Sequence, residues 1–323
     1  MKDILIIHTG GTISMLEDKN TGAVKTSDKH PLTDLSALLQ TYANVEEMIE
    51  FNLPSPQITP KYMLRLAKKI EQVISLYDGI VVTHGTDTLE ETAYFLDLVL
   101  ATDKPIILTG AMRSSNEIGS DAFYNLISSL RVAADDKATN NGVLVVMNDE
   151  IHTAENVIKT STSNLAAFKS PQYGPIGIVT RESIIFHHSI YRKHTYSAVH
   201  LSKNVLLLKA FAGMDEQLLK AVYHMHLDGL VIEGLGQGNL PKQTVKYLQK
   251  IIDAQIPVVL VSRCYQGIVQ PVYGYDGGGK QLKEMGVIFT NGLTGPKARI
   301  KLLIALEQST DKFFLKRIFE EEV

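Results

Sequence analysis

The sequence predicts an α/β protein of two domains: a larger N-terminal domain with a mostly parallel sheet between helices, and a smaller C-terminal α/β domain with its own parallel sheet. Three observations predict this. Short runs rich in Ile and Val alternate with amphipathic stretches of helical period. That alternation lapses between about 150 and 203 and returns at 205. The chain is 323 residues long with 45% hydrophobic residues, more than one small domain needs and enough for two cores. Strand–helix–strand alternation favours a parallel sheet, because crossover helices cover both of its faces.

Residues 3–8 (DILIIH), 79–84 (GIVVTH), 105–109 (PIILT) and 143–147 (VLVVM) read as buried strands bounded by glycine or polar turns. Between them, 60–77 places Met63, Leu66, Ala67, Ile70, Val73, Ile74 and Tyr77 on one helical face. Thr59 can cap this helix, with Pro60 in its first turn. Residues 88–100 and 121–134 also read as helices. After the polar middle, VLLLKA (205–210), GLVIEG (229–234), PVVLVS (257–262) and GVIFT (286–290) are the next strands. Helices are expected over 215–226, 241–254 and 295–308. The expected division is 1–190 for the N-terminal α/β domain, 191–204 for a linker and 205–323 for the C-terminal α/β domain.

The net charge of −3 and pI of about 6.4 provide no counterion-release drive toward nucleic acid, so neither DNA nor RNA is expected as a partner. No apolar run reaches the roughly 18 residues of a membrane span. Ile4–Ile7 is too short for the apolar core of a signal peptide. The single cysteine, Cys264, cannot form a disulfide within the chain. It has no flanking histidine to mark it as a nucleophile and is read as structural. These features suit a cytoplasmic globular protein without a membrane partner.

Two motifs carry chemistry. In His8-Thr9-Gly10-Gly11-Thr12-Ile13 a strand ends at paired glycines flanked by hydroxyls. Beyond the carboxyl ends of parallel strands, loops and helix starts converge. Glycines let bare backbone N–H groups approach an oxyanion or carboxylate, and Thr12 presents a hydroxyl there. The plain alternative is a tight turn with incidental threonines. The spacing is not that of a phosphate-binding loop. In Thr83-His84-Gly85-Thr86-Asp87-Thr88-Leu89-Glu90 a second strand ends at glycine. Asp87 could be a simple helix cap, or a charged group that orients a neighbour or binds an ammonium. A hydroxyl nucleophile needs a base. His84 reads as a structural strand-end residue, and a lysine beside Asp87 is the other candidate. His187-His188 and His224-x-His226 lack a metal-ligand context, and no metal is expected.

These motifs together resemble the L-asparaginase and glutaminase-asparaginase family, which shares TGGTI near the N-terminus and HGTDT about a quarter of the way along. The likeness continues through LAKKI (66–70), TGAMR (109–113), SDAFYNL (120–126), GVLVVMND (142–149), IKTSTSNLAAFKSPQYGPIG (158–177), RKHT (192–195), GQGNL (236–240) and GPKARIKLLIAL (295–306). Each string is weak alone; in order and at matching spacing they are strong. The resemblance implies that Thr12 is the primary nucleophile and that Thr86, Asp87 and Lys159 form a Thr-Lys-Asp group. Ser55 would hold the substrate α-carboxylate and Asp87 the α-ammonium. Gly11 belongs to the glycine turn that would bind the oxyanion, Ala111 would contact the leaving amide through its backbone, and Asn239 would be lent to a neighbouring subunit. The implied activity is hydrolysis of L-asparagine through a β-aspartyl ester, with no cofactor, in a homotetramer of close dimers.

The sequence also departs from the family pattern. Residues 13–41 lack the tyrosine usual in the flexible loop after the first motif. Pro56 replaces a glutamine that often follows the binding serine, with Gln57 adjacent. Gln270–Tyr275 offers tyrosines where a neighbouring subunit often lends an acidic residue. Glu233 stands where allosteric members have arginine, so no asparagine effector site is expected there. A broad glutaminase-asparaginase is one alternative. Another is the glutaminase subunit of a tRNA amidotransferase, whose chains carry a further domain before the TGGT motif, whereas the motif here begins at Thr9. A nucleotide-binding reading rests only on Gly234-x-Gly236-x-Gly238, whose spacing differs from G-x-G-x-x-G.

Overall fold

The computed structural model describes residues 1–18, 21, 24–26, 36–190, 195–197 and 200–320, with backbone alone at 24–26 and 36–37. The chain divides into two compact units, Met1–Thr195 and Tyr196–Val323. The first contains β1 (Asp3–His8), β2 (Met15–Glu17), β3 (Val24–Thr26), α1 (Ser36–Leu39), β4 (Asn44–Ile49), α2 (Pro60–Val73), β5 (Gly79–Thr83), α3 (Leu89–Val99), β6 (Ile106–Thr109), α4 (Ala122–Ala133), β7 (Val143–Met147), β8 (Glu150–Thr153), β9 (Ile158–Lys159), β10 (Phe168–Lys169), β11 (Gly177–Val179) and β12 (Ile184–Phe186). Its large sheet has the order β12-β11-β8-β7-β6-β5-β1-β4. From β7 to β4 the neighbours are parallel; β8, β11 and β12 continue the sheet antiparallel.

Register aligns Ile6, Val81, Ile107 and Leu144 in one row across β1, β5, β6 and β7. Residues opposite one another in a sheet share a face, and this row forms one buried cluster with Leu126 and Leu130 of α4. Every residue of β5, β6 and β7 is buried, which is why these strands read as unbroken apolar runs. Strand β4 has no such signature. It is a half-exposed edge, and its polar residues find partners in the neighbouring structure: Tyr77 donates to Glu46 at 2.6 Å, and the His8 ring lies 3.1 Å from Glu47. The polar middle, left without elements in the sequence reading, supplies β8 to β12. β8 returns on β7 through Asn148 and Asp149, both at positive φ of 50° and 65°, the backbone that a two-residue hairpin requires.

Two local expectations are corrected. Thr59 occupies the N-cap position of α2, but its side chain makes no capping bond; its carbonyl accepts the N–H groups of Tyr62 and Met63 instead. The helix read over 60–77 stops at Val73 and tightens into a short 3-10 turn over Ile74–Leu76. There the Lys104 ammonium donates to the carbonyls of Ile74 at 2.9 Å and Tyr77 at 2.6 Å, replacing the bonds that further helix would make.

The second unit contains β13 (Val205–Lys209), α5 (Glu216–Tyr223), β14 (Gly229–Gly234), α6 (Val245–Asp253), β15 (Val258–Ser262), α7 (Gly279–Glu284), β16 (Ile288–Phe289), α8 (Gly295–Gln308) and α9 (Lys312–Glu320). Its sheet runs β13-β14-β15-β16, all parallel. Leu230, Ile232 and Leu260 pack with Leu219, Val222, Leu248, Ile251 and Leu282. α8 lies along β13 to β15. A Cβ on Gly229 would meet Leu302 at 2.9 Å, so the glycine lets this helix close on the strand. No helix among the described residues is long and apolar enough to cross a membrane.

Candidate active site

The chain passes from β1 to β4 on one side and then to β5, β6 and β7 on the other, so strand order reverses between β1 and β5. Adjacent loops part at such a point and leave a crevice at the carboxyl edge. Both sequence motifs emerge there. Gly11 adopts φ 84° and ψ −179°, a conformation open essentially to glycine alone. A Cβ on Gly11 would lie 2.2 Å from Gly85 Cα, and one on Gly85 would lie 2.8 Å from Ser55 Oγ. The two turns therefore touch backbone to backbone. Thr12 and Thr86 each follow one of the touching glycines.

Thr86 is buried and Ser55 is buried beside the same turns. Lys159, at the end of β9, donates from Nζ to Thr86 Oγ1 at 2.9 Å and to Asp87 Oδ1 at 2.6 Å. Its side chain is 15% exposed, while that of Asp87 is 59% exposed. The cluster thus has a sheltered amine–hydroxyl end and a carboxylate open to an incoming ligand. Asp87 is not a helix cap. Its N–H donates to Ser55 Oγ at 3.2 Å, and the Thr88 hydroxyl donates to the Ser55 carbonyl at 2.9 Å, so the turn is fastened to Ser55. An amine between a hydroxyl and a carboxylate can pass a proton to or from that hydroxyl.

Ala111 follows β6 and is fully buried. A Cβ on the preceding Gly110 would meet Thr86 Cγ2 at 3.2 Å, which puts this third turn against the second. Asn239 lies in the second unit, in the turn between β14 and α6. Its Oδ1 accepts the Gly279 N–H at 3.1 Å, and its Nδ2 donates to the Leu235 carbonyl at 3.4 Å. It lines a cleft of about 600 Å³ with Leu235, Lys242, Tyr275 and Asp276. Much of the loop after the first motif (19–20, 22–23 and 27–35), and Arg192 to His194 of the RKHT string, lie outside the described residues.

His84 is fully buried. Its Nδ1 lies 2.7 Å from the Gly85 carbonyl and its Nε2 2.9 Å from the Thr92 hydroxyl. Burial pushes its pKa down to about 4, so it is neutral at pH 7 and structural, as the sequence reading has it. Cys264 is exposed, which corrects its reading as a structural thiol. Glu233 pairs with Lys209 at 3.1 Å. Among the described residues, no group of three or more His, Cys, Asp or Glu side chains is arranged to hold a metal ion.

Sequence reasoning missed two groups behind Lys159. Glu90, in the first turn of α3, accepts the Lys159 backbone N–H on Oε2 at 2.5 Å. Further back, fully buried His152 contacts Ser170 Oγ at 2.9 Å through Nδ1. Its Nε2 lies 3.3 Å from Glu150 Oε2, and Glu150 also accepts from Lys169 at 2.9 Å. His152, and then Lys169, hold the Glu150 carboxyl below its ordinary range against the opposing effect of burial. Glu90 closes the second motif, but its partner lies 69 residues further on, and no motif marks Glu150, His152, Lys169 and Ser170.

Residues 3–192 match the family model for the asparaginase N-terminal domain, and residues 204–319 that for the glutaminase/asparaginase C-terminal domain. The chain belongs to the asparaginase family of hydrolases. It is 37% identical to a protein of Deinococcus radiodurans described as a probable L-asparaginase, over 99% of this chain and 98% of that one. It is 35% identical to L-asparaginase 2 of Escherichia coli, over 99% of this chain and 93% of that protein. In structure it is similar to a probable cytoplasmic L-asparaginase of Campylobacter jejuni, with a TM-score of 0.86 at 30% identity and 98% of each chain covered.

Proposed function

We propose that this protein hydrolyses L-asparagine to L-aspartate and ammonia in the cytoplasm, as a homotetramer of close dimers, with residues 1–190 carrying the chemistry. The observation that supports this reading above all is Lys159 Nζ within hydrogen-bond distance of both Thr86 Oγ1 and Asp87 Oδ1. In this reading the Thr12 hydroxyl attacks the side-chain amide carbon. Its proton passes to the departing nitrogen, and ammonia leaves a β-aspartyl ester. Water, deprotonated through the Thr86–Lys159–Asp87 group, cleaves that ester and frees Thr12. Backbone N–H groups of the Gly11 turn and of Ala111 stabilise the oxyanion, often the largest single contribution in acyl transfer. Asp87 binds the substrate ammonium and Ser55 its α-carboxylate. Asn239 reaches the site of a neighbouring copy.

Ammonia release on asparagine and glutamine, run side by side, tests the substrate. Thr12→Ala and Lys159→Ala are each expected to lower kcat on asparagine by roughly a thousandfold or more, with an unchanged circular dichroism spectrum and Tm. Wild-type turnover by Thr12→Ala would remove the nucleophile assignment.

A further inference from the structure

Glu90 takes no part in the reaction as set out above, yet it is buried, carries an ionisable group and touches the lysine on which that reaction turns. It is 9% exposed and accepts the Lys159 main-chain N–H at 2.5 Å. Thr86 and Asp87, just ahead of the same helix, hold the other end of Lys159 at Nζ. One stretch of chain, 86–90, therefore grips Lys159 by its backbone and by its amine. The grip matters because β9 pairs with β10 in a separate two-stranded ladder and is not a strand of the large sheet. The large sheet's ladder, which sets the spacing of the β1, β5 and β6 turns, does not set the position of Lys159.

We propose that Glu90 is a positioning residue for the amide hydrolysis: its carboxylate oxygen fixes the Lys159 main chain so that Nζ stays between Thr86 and Asp87. This rests on the role given to Lys159 above. What counts is an acceptor oxygen at the reach of a five-atom side chain. Glutamine preserves that reach; aspartate falls one methylene short; alanine leaves the N–H without this partner. Displacing a reacting group by about 1 Å can cost on the order of a hundredfold in rate.

The test is steady-state ammonia release by the full chain carrying Glu90→Ala, Glu90→Gln or Glu90→Asp, with rates normalised to the folded fraction from circular dichroism. Glu90→Ala is expected to lower kcat by roughly tenfold to a hundredfold with KM for asparagine little changed, and Glu90→Gln to recover much of that loss. A purely structural role would lower Tm and the folded fraction while leaving kcat per folded molecule intact, and that result overturns the proposal. If Glu90→Ala does not fold, Gln and Asp decide: kcat higher for Gln supports the proposal, and Asp equal to or better than Gln overturns it. The result for Lys159→Ala separates the two levels. Wild-type kcat there sinks the lysine reading itself, whereas an inactive Lys159→Ala beside a fully active Glu90→Ala sinks only this inference.

Discussion

Gly11 and Gly85 press their backbones together at the point where the sheet order reverses, and that contact admits no side chain. An added methyl on Gly11 would both force an L-residue to φ 84° and drive its Cβ to 2.2 Å from Gly85 Cα. Such backbone strain costs on the order of 1–3 kcal/mol, and the overlap must be relieved by separating the turns. Gly11→Ala is therefore expected to lose at least about 2 kcal/mol of stability in urea unfolding. It should also lose most ammonia release, because Thr12 moves with Gly11. Unchanged stability would contradict the packing described. At this level the sequence was readable where chemistry and chain neighbourhood coincide. Gly10-Gly11-Thr12 and Gly85-Thr86-Asp87 announce themselves as turns bearing hydroxyls. Lys159 could be placed only by resemblance, and Glu90 by neither route, because its partner lies 69 residues away.

The strands divide in the same way. β5, β6 and β7 are buried on both faces and could be read from composition alone. β4 is a half-exposed edge with two glutamates, and β8 to β12 are two to four residues long, too short for any period to show. β8, β11 and β12 are held by the ladder of the large sheet, whereas β9 and β10 are tied to it by side chains. His152 on β8 holds Ser170 just beyond β10, while Glu150 on β8 holds Lys169 of β10. β10 in turn pairs with β9, the strand that carries Lys159. The cluster thus anchors the lysine hairpin to the large sheet. His152→Leu would bury the Ser170 hydroxyl without this partner. Its expected cost is about 1–3 kcal/mol in urea unfolding, with a smaller loss of kcat than in Lys159→Ala. A variant as stable as wild type would show that the hairpin is held elsewhere.

Each of the two units has its own buried core, so the assembly proposed above must come from surfaces. One surface in the second unit is unusual. Val272, Tyr273 and Tyr275 are 59%, 44% and 54% exposed, and the rings of Tyr273 and Tyr275 lie 5.6 Å apart, tilted by 37° to one another. Single exposed apolar residues are ordinary, but a cluster of large ones marks an interaction surface. Tyr275 also lines the cleft that contains Asn239, the residue proposed to serve a neighbouring copy. A face that buries these aromatics against a second chain would deliver Asn239 in the same step. Light scattering after size exclusion should then give about four times the chain mass of 35.7 kDa. The double variant Tyr273→Asp/Tyr275→Asp should shift the mass downward and lower ammonia release together, since charged groups at the core of such a face oppose association, while the circular dichroism of the folded chain persists. Full turnover from a monomer would break this link between assembly and activity, leaving Asn239 to its observed bonds with Leu235 and Gly279.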